Sequence, residues 1–173
     1  PVSAFGGIIA SNVEVDVDTA SEINKIFCEV VVAPSYQPEA LKILKSKKNR
    51  VLLTLNNYVP QESVLRTVLN GILVQERDIK TDSEEDLKVA TKIAPTKGEI
   101  EDLIFAAKIC KHTKSNTIVL VKNKKVLGVG AGQMNRIESG LIAFKRAGEA
   151  AKGCVMASDA FFPFPDNVEN AAK

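Results

Sequence analysis

Apolar residues recur along this chain in short blocks that switch between the two periods of regular structure. Gly6-Gly7-Ile8-Ile9-Ala10 predicts a short buried strand after a glycine turn. Thr19-Ala20-Ser21-Glu22 has the pattern of a capping box and predicts a helix to about residue 27. Val30-Val31-Val32-Ala33 is a β-branched strand stopped by Pro34, and Pro38 suits the first turn of a helix over 39–45. Another strand is predicted over 50–55. Residues 56–70 carry no clear period, whereas Ile72-Leu73-Val74-Gln75 is strand-like and leads into an acidic stretch over 78–86 that reads as solvated surface.

The second half is more regular. Thr96-Lys97-Gly98-Glu99 is another capping box, and Ile100, Leu103, Ile104, Ala107 and Cys110 follow at helical spacing, so a long helix runs to about residue 111. Strands are predicted over 117–121 and 125–129, joined in a hairpin through Asn123-Lys124. Gly130-Ala131-Gly132 reads as a tight turn into a helix over 135–150. A last strand is predicted over 154–157, and a helix opens at Val168. Strands and helices alternate throughout. The expected fold is α/β, a three-layer sandwich with helices on both faces of a sheet that the hairpin makes mixed.

Length and composition narrow this picture. A chain of 173 residues suits one domain, or two small ones sharing a sheet. A net charge of +2, with no block of Lys and Arg standing alone, argues against a nucleic-acid partner. No apolar run approaches a bilayer's width, so no membrane partner is expected. Cys28, Cys110 and Cys154 lie in apolar stretches at wide spacing, which predicts buried, reduced thiols in a cytoplasmic protein. With a single histidine and no Cys-x-x-Cys, no zinc site is expected.

Three segments could carry chemistry, each at the end of a regular element, where α/β folds place ligands. Lys111-His112-Thr113-Lys114-Ser115-Asn116 packs donors and acceptors into one turn. Lys111 and Lys114 read as cations offsetting a helix C-terminus, His112 reads as structural rather than as a general acid or base, and Asn116 is the better candidate for contact with a nucleotide or an amide. In Gly128-Val129-Gly130-Ala131-Gly132-Gln133-Met134-Asn135-Arg136, glycines would let a ligand approach the backbone, and a helix N-terminus would favour an anion. Arg136 opposes the helix dipole there, which points to service to a ligand. The spacing is not the dinucleotide fingerprint. Ser158-Asp159-Ala160-Phe161-Phe162-Pro163-Phe164-Pro165-Asp166-Asn167 offers stiffened aromatic surface between acids, suited to a flat heterocycle, with some rings expected in the core. A weaker candidate is the opening Pro1-Val2-Ser3-Ala4-Phe5-Gly6-Gly7, a possible cradle for phosphate or ribose.

These segments resemble the AICAR transformylase region of the bifunctional purine-biosynthesis enzymes that pair that activity with IMP cyclohydrolase. The matching stretches are PVSAFGGIIA, KHTKSN, VGAGQMNRIES and MASDAFFPFPDN, in order along almost the whole chain. The resemblance implies a cytidine deaminase-like fold without catalytic zinc. It implies transfer of a formyl group from 10-formyltetrahydrofolate to the 5-amino group of AICAR, and a homodimer with active sites at its interface. It places Asn116, Arg136 and Phe161 on AICAR. Ile137, Pro163, Phe164 and Asp166 fall on the folate side, and Thr113, Ser115 and Asp159 on a structural potassium ion. The family's catalytic Lys-His pair would precede Pro1, so residues 1–173 read as one excised subdomain, inactive alone. Pro165 stands where many members have arginine. The rival reading is a non-catalytic ligand-binding or dimerisation module of the same fold.

Overall fold

The computed structural model describes residues 5–172, so residues 1–4 of the opening segment lie outside the described residues. The chain forms two compact units, Pro1–Arg77 and Asp78–Lys173.

In the first unit, β1 (Gly7–Ala10), β2 (Cys28–Ala33) and β3 (Val51–Thr54) form a parallel sheet in the order β1-β2-β3. The crossovers are α1 (Val17–Asn24) and α2 (Pro38–Lys45). Ala20 and Ile23 of α1, with Ala40 and Leu44 of α2, share one core with Val31 and Ala33 of β2, and Ile9 and Leu52 pack against it. Both helices therefore cover the same face. The helix start differs from the capping-box expectation. Asp16 is the N-cap, accepting a 2.8 Å bond from the Thr19 amide, because a carboxylate three residues earlier can serve the first turn. β4 (Ser63–Val68) forms where no regular period was expected over 56–70, and it pairs antiparallel with β5 (Gly71–Glu76), which contains the strand expected at Ile72-Leu73-Val74-Gln75. The two-residue turn between them puts Leu69 at φ 48°, a conformation that an aliphatic residue seldom signals.

The second unit centres on β6 (Ile118–Lys122), flanked by β7 (Lys125–Gly130) and β8 (Val155–Ser158) in the order β7-β6-β8, antiparallel at both seams. Ile118, Val119, Leu120 and Val121 are fully buried, because helices cover both faces. Val119 and Val121 meet Ala106 and Cys110 of α3 (Lys97–Lys111). Ile118 and Leu120 meet Ala143 of α4 (Arg136–Ala147). This unit has three layers. A short helix α5 (Asp166–Ala171) follows β8.

Three devices fix the second unit. Thr96 and Glu99 form the expected capping box on α3. Asp102, a buried residue of α3, accepts from the Asn123 and Lys124 amides at 2.7 and 2.6 Å. Those two residues are the β6–β7 turn, both at positive φ, as a tight hairpin of right-handed twist requires. Finally, α4 lies almost on the backbone of β7: a Cβ on Gly130 would come 1.8 Å from the Ser139 carbonyl oxygen, and one on Gly128 2.1 Å from that of Ala143.

The α/β class holds, but the single mixed sheet does not. Parallel and antiparallel pairings are divided between separate sheets, since the crossovers of the first unit never join the hairpin-built sheet of the second. Among the described residues, no helix is long and apolar enough to cross a membrane.

Candidate functional site

The three polar segments singled out in the sequence converge in the second unit, on Asp159. This residue follows β8 directly. Its Oδ1 accepts from the Thr117 amide at 2.9 Å and from Arg136 Nη2 at 3.1 Å, and its Oδ2 accepts from the Ser115 hydroxyl. One carboxylate thus ties the turn after α3, the entry to α4 and the loop after β8. The Asp159 and Arg136 side chains are only 17% and 13% exposed. Burial pushes the Asp159 carboxyl up, but the bonds from Ser115 and Thr117 and the Arg136 charge together hold it below the usual range.

Arg136 is the first residue of α4, where a cation is locally disfavoured. The ion pair with Asp159 compensates, and Arg136 Nη1 also reaches the Phe161 carbonyl at 3.5 Å. Its Nε is buried without a hydrogen-bond partner. The arginine therefore braces the aromatic loop from beneath.

Asn116 sits on the neighbouring strand entry, after a cis Ser115-Asn116 peptide bond. Its Nδ2 donates to the carbonyls of Gln133 and Met134 at 2.9 and 3.2 Å, and its own carbonyl accepts from Ser139 Oγ at 2.8 Å. The Gly132 amide donates to the Lys114 carbonyl at 2.8 Å. The donors of Asn116 are spent on positioning, which leaves Oδ1 as the acceptor it can offer a ligand.

The aromatic loop divides as a rigid platform would. Phe162 packs into the core with Ile118 and Leu120. Phe161 and Phe164 are 81% and 67% exposed. Pro163 is exposed too, while Ile137 and Asp166 are half-buried. Asp166 opens α5, and its Oδ1 accepts from the Asn167 amide at 2.8 Å. Asp159 is thus not a free acidic edge for a heterocycle, because its carboxylate faces the protein's own donors. Two of the three glycines expected to admit a ligand, Gly128 and Gly130, instead admit α4. Gly132, at φ 68°, makes the turn.

Behind this junction lies an open cleft of about 510 Å³, lined by Thr113, Ser115, Asp159, Cys110 and Lys111 among others. Thr113 Oγ1 donates to the Ile109 carbonyl at 2.7 Å, and Lys111 Nζ pairs with Asp78 at 3.3 Å. Lys111 therefore answers an acid while standing, as expected, in the last turn of α3. His112 is the exposed C-cap of α3. Burial raises the Cys110 thiol to about 11, with the Asp159 charge adding to it and Arg136 opposing, so it is no nucleophile near neutrality. Sequence reasoning missed Thr117 and Ser139. Both are small, buried polar residues inside apolar runs, and that interruption was the available signal.

A family model described as the AICARFT/IMPCHase bienzyme matches residues 1–146. Among curated relatives, the bifunctional purine biosynthesis protein PurH of Thermoanaerobacter sp. (strain X514) is 55% identical over 173 residues, all of this chain and 34% of that protein. The proteins of the same name from Ruminiclostridium cellulolyticum and Oceanobacillus iheyensis are 52% and 53% identical, over 99% and 100% of this chain and 34% of each relative. The chain thus spans about a third of the length of these relatives. Matched in sequence along most of its length, with three of the resembling segments meeting at the Arg136–Asp159 ion pair, the chain belongs to the AICARFT/IMPCHase bienzyme family.

Proposed function

We propose that the chain forms part of the formyl-transfer site of a bifunctional purine-biosynthesis enzyme, carrying a formyl group from 10-formyltetrahydrofolate to the 5-amino group of AICAR. The observation that carries this reading is the Asp159 junction, which brings Asn116, Arg136 and the Phe161–Phe164 platform to one place. In the transfer, the amine nitrogen bonds to the formyl carbon, the bond from that carbon to folate N10 breaks, the amine gives up a proton and N10 gains one. The amine is a weak nucleophile because its lone pair is delocalised into the imidazole carboxamide, so orientation and proton removal dominate. The proton acceptor is a Lys-His pair outside these residues. This chain supplies walls: Asn116 Oδ1 accepts from AICAR, Arg136, held by Asp159, lines the AICAR pocket, and Phe161 lies beside the ring. Ile137, Pro163, Phe164 and Asp166 form the folate side.

The same reading includes a cytidine deaminase-like fold, a cytoplasmic homodimer with active sites at the subunit interface, and one excised subdomain over residues 1–173. It also includes a structural potassium ion at Thr113, Ser115 and Asp159. Their hydroxyl and carboxylate oxygens suit a hard cation, which would brace the turn that carries Asn116.

Kinetics of the chain grafted into the full-length Thermoanaerobacter relative, in place of the third that it matches, test the reading. Asn116→Ala raises KM for AICAR about tenfold, as the loss of a hydrogen bond to a polar group does, with little change for folate. Phe164→Ala does the reverse. Unchanged KM values in both variants reject the assignment. The 173-residue chain alone has no formyltransferase activity, and measurable turnover by it would sink the wall-only role.

A further inference from the structure

The short helix α5 is seated on the second unit by a polar side chain. Asn167, its second residue, is 1% exposed, whereas Val168 beside it is 53% exposed. α5 packs on α4, and the residue that Asn167 meets there is the buried Gly140. A Cβ on Gly140 would come 2.0 Å from Asn167 Oδ1 and 3.2 Å from its Cγ. The side-chain amide thus fills the space that a larger residue at 140 would occupy. Its Oδ1 is buried without a hydrogen-bond partner.

Both members of this contact are chosen against stability. A buried amide oxygen without a partner forgoes the bonds it makes with water. Glycine inside a helix is less favourable than alanine. What the pair achieves is shape: the amide reaches the backbone of α4 and fixes how closely α5 approaches it. Residues placed against local preference point to a service elsewhere.

That service lies at the candidate site. Gly140 stands three residues after Ile137 on α4, so the two are neighbours on one side of the helix. Asn167 follows Asp166 directly, and its backbone amide donates to Asp166 Oδ1 at 2.8 Å. Phe164 is joined to Asp166 through Pro165 alone. The Gly140–Asn167 contact therefore sets the spacing between Ile137 on α4 and the Phe164–Asp166 segment that opens α5.

We propose that Asn167, seated on Gly140, is a positioning residue that sets the width of the folate side without touching the folate. The inference rests on the formyl-transfer reading and deepens it.

Kinetics of the chain grafted into the full-length Thermoanaerobacter relative test it, with Phe164→Ala as the reference for direct contact with folate. Gly140→Ala raises KM for 10-formyltetrahydrofolate about tenfold, with kcat and KM for AICAR within about twofold of the parent. Asn167→Ala raises the same KM about threefold. The double variant Gly140→Ala/Asn167→Ala removes the amide that the new Cβ would strike. It returns KM for folate to within about twofold of the parent, the coupling expected of two groups in contact. A KM for folate that rises in Phe164→Ala but not in Gly140→Ala overturns the positioning role and leaves the formyl-transfer reading standing. A KM unmoved in both overturns the two together. Gly140→Ala that changes kcat and both KM values alike is general damage and overturns the proposal, as does a double variant no better than Gly140→Ala. If Gly140→Ala fails to fold, the double variant decides: recovery of folding and of KM for folate upholds the contact, and failure to recover either overturns it.

Discussion

Two three-stranded sheets in one chain were given the same kind of apolar strand and ended in different states. The antiparallel sheet of the second unit has a central strand buried from Ile118 to Val121, with α3 on one side and α4 on the other. The parallel sheet of the first unit has a central strand with an equally apolar run, Val30 to Ala33, but one helical layer. An apolar run thus states that a strand wants cover on both faces; it does not say who provides the cover. In the second unit β7 and β8 are parallel neighbours of a strand between them, so α4 crosses the sheet on the side that α3 leaves open. In the parallel sheet of the first unit no strand reverses direction.

The sharpest way to break the contrast is Gly130→Ala. The new Cβ has nowhere to go beside the Ser139 carbonyl, and lifting α4 from β7 costs about 4 kcal/mol. Urea denaturation followed by circular dichroism should show the second unit lost first. The chain's two tyrosines, Tyr36 and Tyr58, both lie in the first unit, so their absorbance reports that unit separately. Leu120→Ala empties a fully buried site and should cost about 3 kcal/mol. Leu53→Ala, the matching aliphatic deletion on the half-exposed face, should cost less than about 1 kcal/mol in the 173-residue chain. Equal losses at these two positions would erase the contrast.

Asp159→Asn comes next. It leaves the Arg136 charge without its partner and should destabilise the second unit by about 2 kcal/mol, less than a fully buried pair would lose. The pH dependence has a fixed sign. The folded Asp159 carboxyl lies below its usual value, so its contribution is present above the ordinary carboxylate range and is lost as pH falls through the folded value. Acid titration of the stability of the second unit should therefore flatten in the asparagine variant. The smallest effect among these second-unit variants is expected from Thr96→Ala, which removes the α3 cap at about 1 kcal/mol, read as a shift in the urea midpoint.

Most of the elements were legible in the sequence because local chemistry sets them. The Thr96–Glu99 box, Pro38 at a first turn and Asn123-Lys124 between strands each act within four residues. The β4–β5 hairpin was not legible, because Leu69 occupies a left-handed position that sequence statistics assign to glycine or asparagine. Which strands share a sheet was hidden as well, since pairing is decided by crossovers and not by strand composition. At the site, Asn116, Arg136 and Asp159 could be named from local oddity. That Arg136 answers Asp159 could not, because the pair is separated by an entire helix and strand in sequence. The glycines before α4 misled for a related reason: closeness to a helix and closeness to a ligand require the same missing Cβ.

The grip of Asp102 on the Asn123 and Lys124 amides lies at the far end of β6 and β7 from the Asp159 junction. A strand pair behaves as a ruler, and this carboxylate holds its zero mark. Side chains alternate faces with every residue, so a slip of one position would carry Thr117 away from the Gly130 carbonyl it donates to at 2.9 Å. The same slip would bring a residue with a Cβ under Ser139. Alignment of the candidate pocket is thus set partly by a carboxylate that never approaches it.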